Sequence, residues 1–268
     1  MLFDSHVHSA ASRDSQLCPQ EAISTLARKG LGVIFTEHVD FVTPTVGKDM
    51  SATDAPKVDE DFLCDFDIYP SQYESLRNDS VLLGLEIGLN AAFLPLNKQV
   101  ADNDYDFILG SIHFVDGDDV YRIAPTIDAK AFCIRYLTYA KEMVELSCSF
   151  IHSLAHIDYA ARYSEPVDRL FYYANFPKEF DGLLQALADR ELAMEINTSR
   201  LGDTKAVKQL LTIYKRFSEL GGKYVTIGSD AHSAWALGKY YAQGLGLAKM
   251  ANLQPVYYKK GKRIISCV

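Results

Sequence analysis

The first apolar run of this 268-residue chain, MLFDSHVHS, ends on two histidines one residue apart, His6 and His8. Side chains of a strand alternate between faces with a period of two, so both imidazoles point the same way, about 7 Å apart along the backbone, and can grip one metal ion. The placement recurs along the chain: His38, Glu86, His113, His156, Asp230 and His232 also fall at the ends of apolar runs. Ligand-type residues at successive strand ends demand a fold in which those ends meet. A parallel α/β barrel meets that demand, because the carboxyl ends of its strands open on one face.

The rest of the pattern agrees with such a barrel. Strands are expected at 2–8, 32–38, 81–87, 106–113, 149–156, 191–197 and 223–229. Helices are expected at 19–29, opened by Pro19 and closed by Gly30, and at 68–78, 127–146, 178–190, 204–220 and 234–250. Alternation of this kind argues for parallel strands with crossover helices, and nearly continuous apolar strands suit a sheet covered on both faces. A length near 250 residues is typical of one barrel, so residues 1–268 are read as a single domain. Residues 39–67, acidic and carrying Pro44, Gly47 and Pro56, read as a long loop and a candidate substrate lid. The end of the chain reads as a hairpin turning at Lys260-Gly261, closing the bottom of the barrel or running along its outside.

Composition excludes several classes of partner. No apolar stretch reaches the roughly 18 residues of a membrane span. A net charge of −8 without a lysine or arginine run argues against nucleic acid. Five widely spaced cysteines with no Cys-x-x-Cys pair, and a first strand starting at Met1 with no leader pattern, fit a cytoplasmic protein. An acidic chain acting on a phosphate must supply positive charge locally, as metal ions or a few arginines. Imidazoles and carboxylates without thiolates suit zinc, iron or manganese. Several such ions together polarise a phosphate ester and bring the pKa of bound water towards neutrality, so the expected chemistry is metal-assisted hydrolysis. Glu37, Glu195 and Asn197 are candidates for orienting the ligands. His152 shares the parity of His156 but lies four residues deeper, and is left out of the site.

The ordered set His-x-His, TEH, GLE, SxH, His-x-Asp, EIN and GSDAH, from Asp4 to His232, resembles the polymerase and histidinol phosphatase (PHP) family, and within it the stand-alone histidinol-phosphate phosphatases. The resemblance implies a distorted (β/α)₇ TIM-like barrel with a trinuclear centre of divalent ions at the C-terminal ends of the strands. Carried over, His6, His8, Glu86 and Asp230 would hold one ion. Glu86 would bridge to a second ion held with His113 and His156, and Asp14, His38 and His232 would hold the third. Some relatives carry histidine at the position of Asp14, and Ala155 stands where glycine is common.

Arg162 in DYAAR and Arg200 in INTSR resemble the phosphate-binding arginines of that subgroup. A guanidinium there can hold phosphoryl oxygens in bidentate fashion and follow their charge into the transition state. Asp158 is a candidate for placing water or protonating the leaving alkoxide. The resemblance implies hydrolysis of L-histidinol phosphate, a small phosphate ester, in histidine biosynthesis. The alternatives are another small phosphomonoester, such as a nucleotide or sugar phosphate, and a non-catalytic metal-binding domain, which the full ligand set argues against.

Overall fold

Short runs of Val, Ile, Leu and Phe between turn residues form a ten-stranded sheet, with a separate two-stranded one (Phe114–Val115 with Asp118–Asp119), in the computed structural model, which describes residues 1–42, 57–63 and 69–267. The strands are β1 (Phe3–Val7), β2 (Gly32–Val42), β3 (Lys57–Leu63), β4 (Val81–Gly88), β5 (Phe107–Ser111), β6 (Phe114–Val115), β7 (Asp118–Asp119), β8 (Ser153–Leu154), β9 (Ala193–Asn197), β10 (Tyr224–Gly228), β11 (Gln254–Lys259) and β12 (Lys262–Ile265). Strands β1, β2, β4, β5, β8, β9 and β10 pair parallel in that order. These seven are the strands expected from the sequence, and their carboxyl ends share one rim.

Between the last and first of the seven, the ladder is reduced to a single bridge, Val7 with Ala231. Two backbone hydrogen bonds make the joint: Asp230 N–H donates to the His6 carbonyl (2.8 Å) and His8 N–H to the Ala231 carbonyl (3.0 Å). The buried carboxylate of Asp4 tightens it, accepting from Ser229 N–H (2.8 Å), Ser229 Oγ (2.6 Å) and Gly238 N–H (2.9 Å). The residues that join the sheet edges are thus neighbours of the ligand candidates His6, His8, Asp230 and His232.

At the opposite end the C-terminal hairpin closes the bottom. Lys260 and Gly261 both take positive φ (51° and 67°), as a two-residue hairpin turn requires. Gly261 N–H donates to the Asp106 carbonyl (3.0 Å) and Lys260 N–H to Asp106 Oδ1 (2.9 Å). Tyr258 packs with Phe3, Ile34, Leu82 and Phe107 in an apolar plug at the amino ends of the strands. His152 belongs to this plug: its ring stacks on Tyr258 (4.7 Å) and Phe107 (6.0 Å), and its Nδ1 accepts from Ile108 N–H (2.8 Å).

Several expected elements come out differently. The strand expected over 149–156 is only Ser153–Leu154, since pairing to β9 is confined to those two residues while single hydrogen bonds from His152 and Ala155 continue towards β5. The helix expected over 234–250 begins at Tyr241, because Gly238 and Tyr240 take positive φ (60° and 56°) and turn the chain off the helical path. Residues 39–67 are not simply a loop: β2 continues to Val42 and pairs antiparallel with β3. The remainder of the supposed lid, 43–56 and 64–67, lies outside the described residues. Helix Leu94–Ala101 and the β6–β7 hairpin were not foreseen. No helix among the described residues is long and apolar enough to cross a membrane.

Burial lowers the pKa of His152 to about 4, against about 6.5 in an unfolded chain. Between those values the unfolded chain binds more protons. The stability that a neutral His152 contributes is therefore complete above about pH 6.5 and is lost as pH falls towards 4, at most about 3 kcal/mol. Urea unfolding at pH 7.5 and pH 5 should show a smaller loss of midpoint for His152→Phe than for the wild type.

Candidate metal centre

Each ligand candidate reaches the rim because its strand ends there. His6 lies within β1 and His8 one residue beyond it. His38 and Glu86 are register partners on β2 and β4, and His113, His156, Asp230 and His232 follow β5, β8 and β10. Side chains up to 224 positions apart in sequence, His6 and Asp230 among them, thereby come within contact distance. Glu86 is at the centre and fully buried. Its Oε1 lies 2.7 Å from His156 Nε2 and 3.3 Å from His113 Nε2. Its Oε2 lies 3.1 Å from His38 Nδ1, 3.2 Å from His6 Nε2 and 3.4 Å from His8 Nε2, yet has no partner in hydrogen-bond geometry. Asp230 Oδ1 is 3.5 Å from both His6 Nε2 and His8 Nε2. At the outer edge, Asp14 Oδ2 lies 2.9 Å from His232 Nε2 and 3.3 Å from His38 Nε2.

This donor set fits divalent cations. His6 Nδ1 faces Glu195 Oε1 (2.7 Å), His113 Nδ1 faces Asp40 Oδ1 (3.0 Å), and His232 Nδ1 faces the Asp230 carbonyl (3.1 Å). An Nδ1–H given to an oxygen leaves Nε2 as a lone pair pointing inward, the tautomer a metal ligand needs. The Nε2 atoms of His6 and His8 then face each other at 3.0 Å, close to the about 3 Å separation that two nitrogens at 2.0–2.1 Å from one ion adopt. Three-residue groups able to hold an ion are His6–His8–Glu86, Glu86–His113–His156, His8–His38–His232, His6–His156–Asp230 and His38–Asp40–His113. The first two lie within the expected partition. The others differ from it in linking His8 to the outer pair, His156 to Asp230, and Asp40 to His113.

Protonation follows the same geometry. Burial disfavours the cationic form of His38, but Glu86 and Asp14 outweigh it and raise its pKa to about 10. His6 is likewise driven well above its usual range, against burial, by Glu195, Glu86 and Asp230. Burial together with the neighbouring His38 and His232 lowers His8 to about 4. Although burial opposes it, Glu86 is held well below the carboxylate range by His6, His113 and His38. The carboxylates thus demand positive charge from their surroundings, and a divalent cation would displace the protons that otherwise supply it.

A second layer fixes the imidazoles. Glu195 holds His6 with one oxygen and accepts from His156 N–H (2.8 Å) and Asn197 Nδ2 (3.1 Å) with the other. Ser12 Oγ accepts from His38 N–H (3.0 Å), lies 3.5 Å from His8 Nδ1, and donates to buried Glu37 (2.5 Å). Two glycines make room for this layer. A Cβ on Gly88 would lie 1.8 Å from Asp40 Oδ1, and one on Gly228 would lie 2.3 Å from His6 Cβ and 2.6 Å from Glu195 Oε1. Asp40 falls within the stretch 39–67 expected to form a substrate lid, but it is buried beneath His113. Its period-two spacing from His38, the same signal as in His6 and His8, could have shown this.

Seven of the nine ligand candidates, all but His6 and His8, line a cavity of about 240 Å³ together with Tyr159, Arg162, Tyr163 and Ser199. Arg162 is partly buried and its Nη1 binds Asp230 Oδ2 (2.8 Å), while Nε and Nη2, both buried, have no hydrogen-bond partner among the described residues. Arg200 and Asp158 are not on this wall. They pair with each other (Arg200 Nη1 to Asp158 Oδ2, 2.9 Å), and Arg200 Nη2 donates to Asp168 (2.6 Å). No local pattern points to Asp168 as a competitor for Arg200, since it lies on another element. Tyr159 and Tyr163 were also missed. The Tyr159 ring packs on His113 (4.8 Å) and His156 (4.9 Å).

The chain resembles known proteins in both sequence and fold. The PHP domain matches residues 4–199. A protein of Clostridium acetobutylicum described as "probable histidinol-phosphatase" is 38% identical over 97% of this chain and 98% of its own length. The histidinol-phosphatase of Lactococcus lactis subsp. lactis is 31% identical over 86% of this chain and 84% of its own. Among solved structures, histidinol phosphate phosphatase from Lactococcus lactis subsp. lactis, complexed with zinc, L-histidinol and phosphate, superposes with a TM-score of 0.83 at 26% identity, covering 98% of both chains.

Because Glu195 orients His6 and the His156 backbone together, Glu195→Gln should weaken affinity for divalent ions by about 10–100-fold. Titration against a metal buffer measures the effect, and an unchanged far-UV circular dichroism spectrum would show that the barrel is intact.

Proposed function

This chain belongs to the PHP domain family, and on that premise we propose that it is a histidinol-phosphatase, hydrolysing L-histidinol phosphate to L-histidinol and phosphate in cytoplasmic histidine biosynthesis. The observation that carries the reading is Arg162, with two buried, unpartnered guanidinium nitrogens at a cavity walled mainly by imidazoles and carboxylates. Buried donors of this kind are costly unless something else pairs with them. A phosphoryl group has the acceptor oxygens and the charge to do so.

We assign three divalent ions, zinc, iron or manganese, to the ligands of the family pattern: His6, His8, Glu86 and Asp230; Glu86, His113 and His156; and Asp14, His38 and His232. When bound, such ions polarise phosphoryl oxygens and supply a nucleophile from water near neutral pH. The chain's own residues do the rest. Glu195, Asp40 and Ser12 keep the imidazoles aimed inward, so little reorganisation accompanies the reaction. Arg162, anchored by Asp230, directs its free nitrogens at the developing charge of the transferring group. Arg200 is proposed as the second phosphate ligand, joining by giving up Asp158 or Asp168. Asp158 then acts by positioning Arg200, which fits its place off the cavity wall better than direct proton donation to the alkoxide.

Protein reconstituted with each metal should prefer histidinol phosphate to nucleotide and sugar phosphates by at least about tenfold in kcat/KM, and a reversed preference would select another phosphomonoester. Exhaustive chelation should abolish turnover, and Arg162→Ala should lower kcat/KM by about 100-fold or more. Full activity after demetallation would overturn the mechanism.

A further inference from the structure

A second cavity of about 230 Å³ adjoins the one over the ligand cluster. The two share Ser199, Asp230 and His232, and the second adds Trp235 and Lys239. Trp235 is the only tryptophan in the chain and is 73% exposed. Its segment is nevertheless pinned at the three residues that follow Ala236. Leu237 is fully buried, Gly238 N–H donates to Asp4 Oδ2 (2.9 Å), and the Lys239 carbonyl accepts from Thr198 Oγ1 (2.6 Å). The indole is therefore held out to solvent at the rim by an anchored turn.

We propose that Trp235 is a specificity-determining residue whose open indole face stacks on the imidazole ring of the leaving alcohol while the phosphoryl group occupies the ligand-lined cavity. The inference rests on the histidinol phosphate reading above and extends it to the half of the substrate that no ligand or arginine touches. Lys239 Nζ sits 4.4 Å from the indole centroid and occupies one face of the ring. An ammonium there draws on the π-electrons that would attract a second cation, so the opposite face suits a neutral heteroaromatic ring better than a charged amine. The other aromatic rings that line the ligand-lined cavity are already engaged: Tyr163 edge-on by Tyr159 and Tyr121, and Tyr159 against His113 and His156. The walls also differ in chemistry: imidazoles, carboxylates and Arg162 suit a phosphoryl group, while an aromatic plane beside serine hydroxyls suits a ring.

Two measurements on the metal-loaded full chain test this. An aromatic pair of ordinary strength corresponds to about a three- to tenfold change in an equilibrium or specificity constant. Trp235→Ala should therefore lower the ratio of kcat/KM for histidinol phosphate to that for phosphoethanolamine, which lacks a ring, by that factor. The change should lie in KM, and Trp235→Phe should restore most of it. Because the chain has one tryptophan, its fluorescence reports directly on the site: L-histidinol should change it and inorganic phosphate should not. An unchanged ratio in Trp235→Ala, or no fluorescence change at histidinol concentrations that inhibit turnover, overturns the inference alone. Failure of the wild-type protein to hydrolyse histidinol phosphate overturns the functional reading and this inference with it.

Discussion

A carboxylate cannot be buried at the mouth of a barrel unless positive charge meets it there, and Glu86 is such a carboxylate. Five imidazoles, those of His6, His8, His38, His113 and His156, approach its two oxygens within 3.4 Å. They arrive from β1, β2 and the segments after β5 and β8, so the demand of one side chain is met only when the parallel sheet has curved far enough to bring these ends together. Fold and site are therefore one problem. The interaction that makes the centre chemically useful is also costly to leave half assembled.

The joint between β1 and the end of β10 shows the same coupling from the backbone side. Asp230 holds φ at +58°, a conformation that aspartate tolerates better than most residues. Its N–H reaches the His6 carbonyl, while its carboxylate faces His6 and His8 on one side and Arg162 on the other. A regular ladder would run on through this point and point the side chain elsewhere. The break in pairing is thus what frees Asp230 to serve the rim, and Asp4, bonded to Ser229 and Gly238, stabilises the break from beneath.

The sequence made the strand-end residues legible because period and chain order are local properties. His6 with His8, or GSDAH after an apolar run, announce themselves within a few residues. Pairings set by convergence were not legible. Asp168 takes one side of Arg200, and Asp40 lies under His113 although its neighbours suggested a loop facing substrate. The helix boundary at Tyr241 failed for a different reason. Positive φ at Gly238 and Tyr240 goes with anchoring to Asp4 on β1 and to Thr198 just beyond β9, which no helical periodicity encodes.

His152 and His156 show how far position alone can decide what a histidine does. They are four residues apart with the same parity, on either side of the two residues of β8. The first lies at the bottom among Phe107 and Tyr258, with no carboxylate in hydrogen-bond contact among the described residues, and burial makes it a poor base that stays neutral and packs. The second lies at the rim, 2.7 Å from Glu86, with its backbone held by Glu195. Burial is comparable in kind at both ends, so the nearest carboxylate separates a packing imidazole from a ligand candidate. Strand direction determines which histidine meets one, and it does so before any metal is considered.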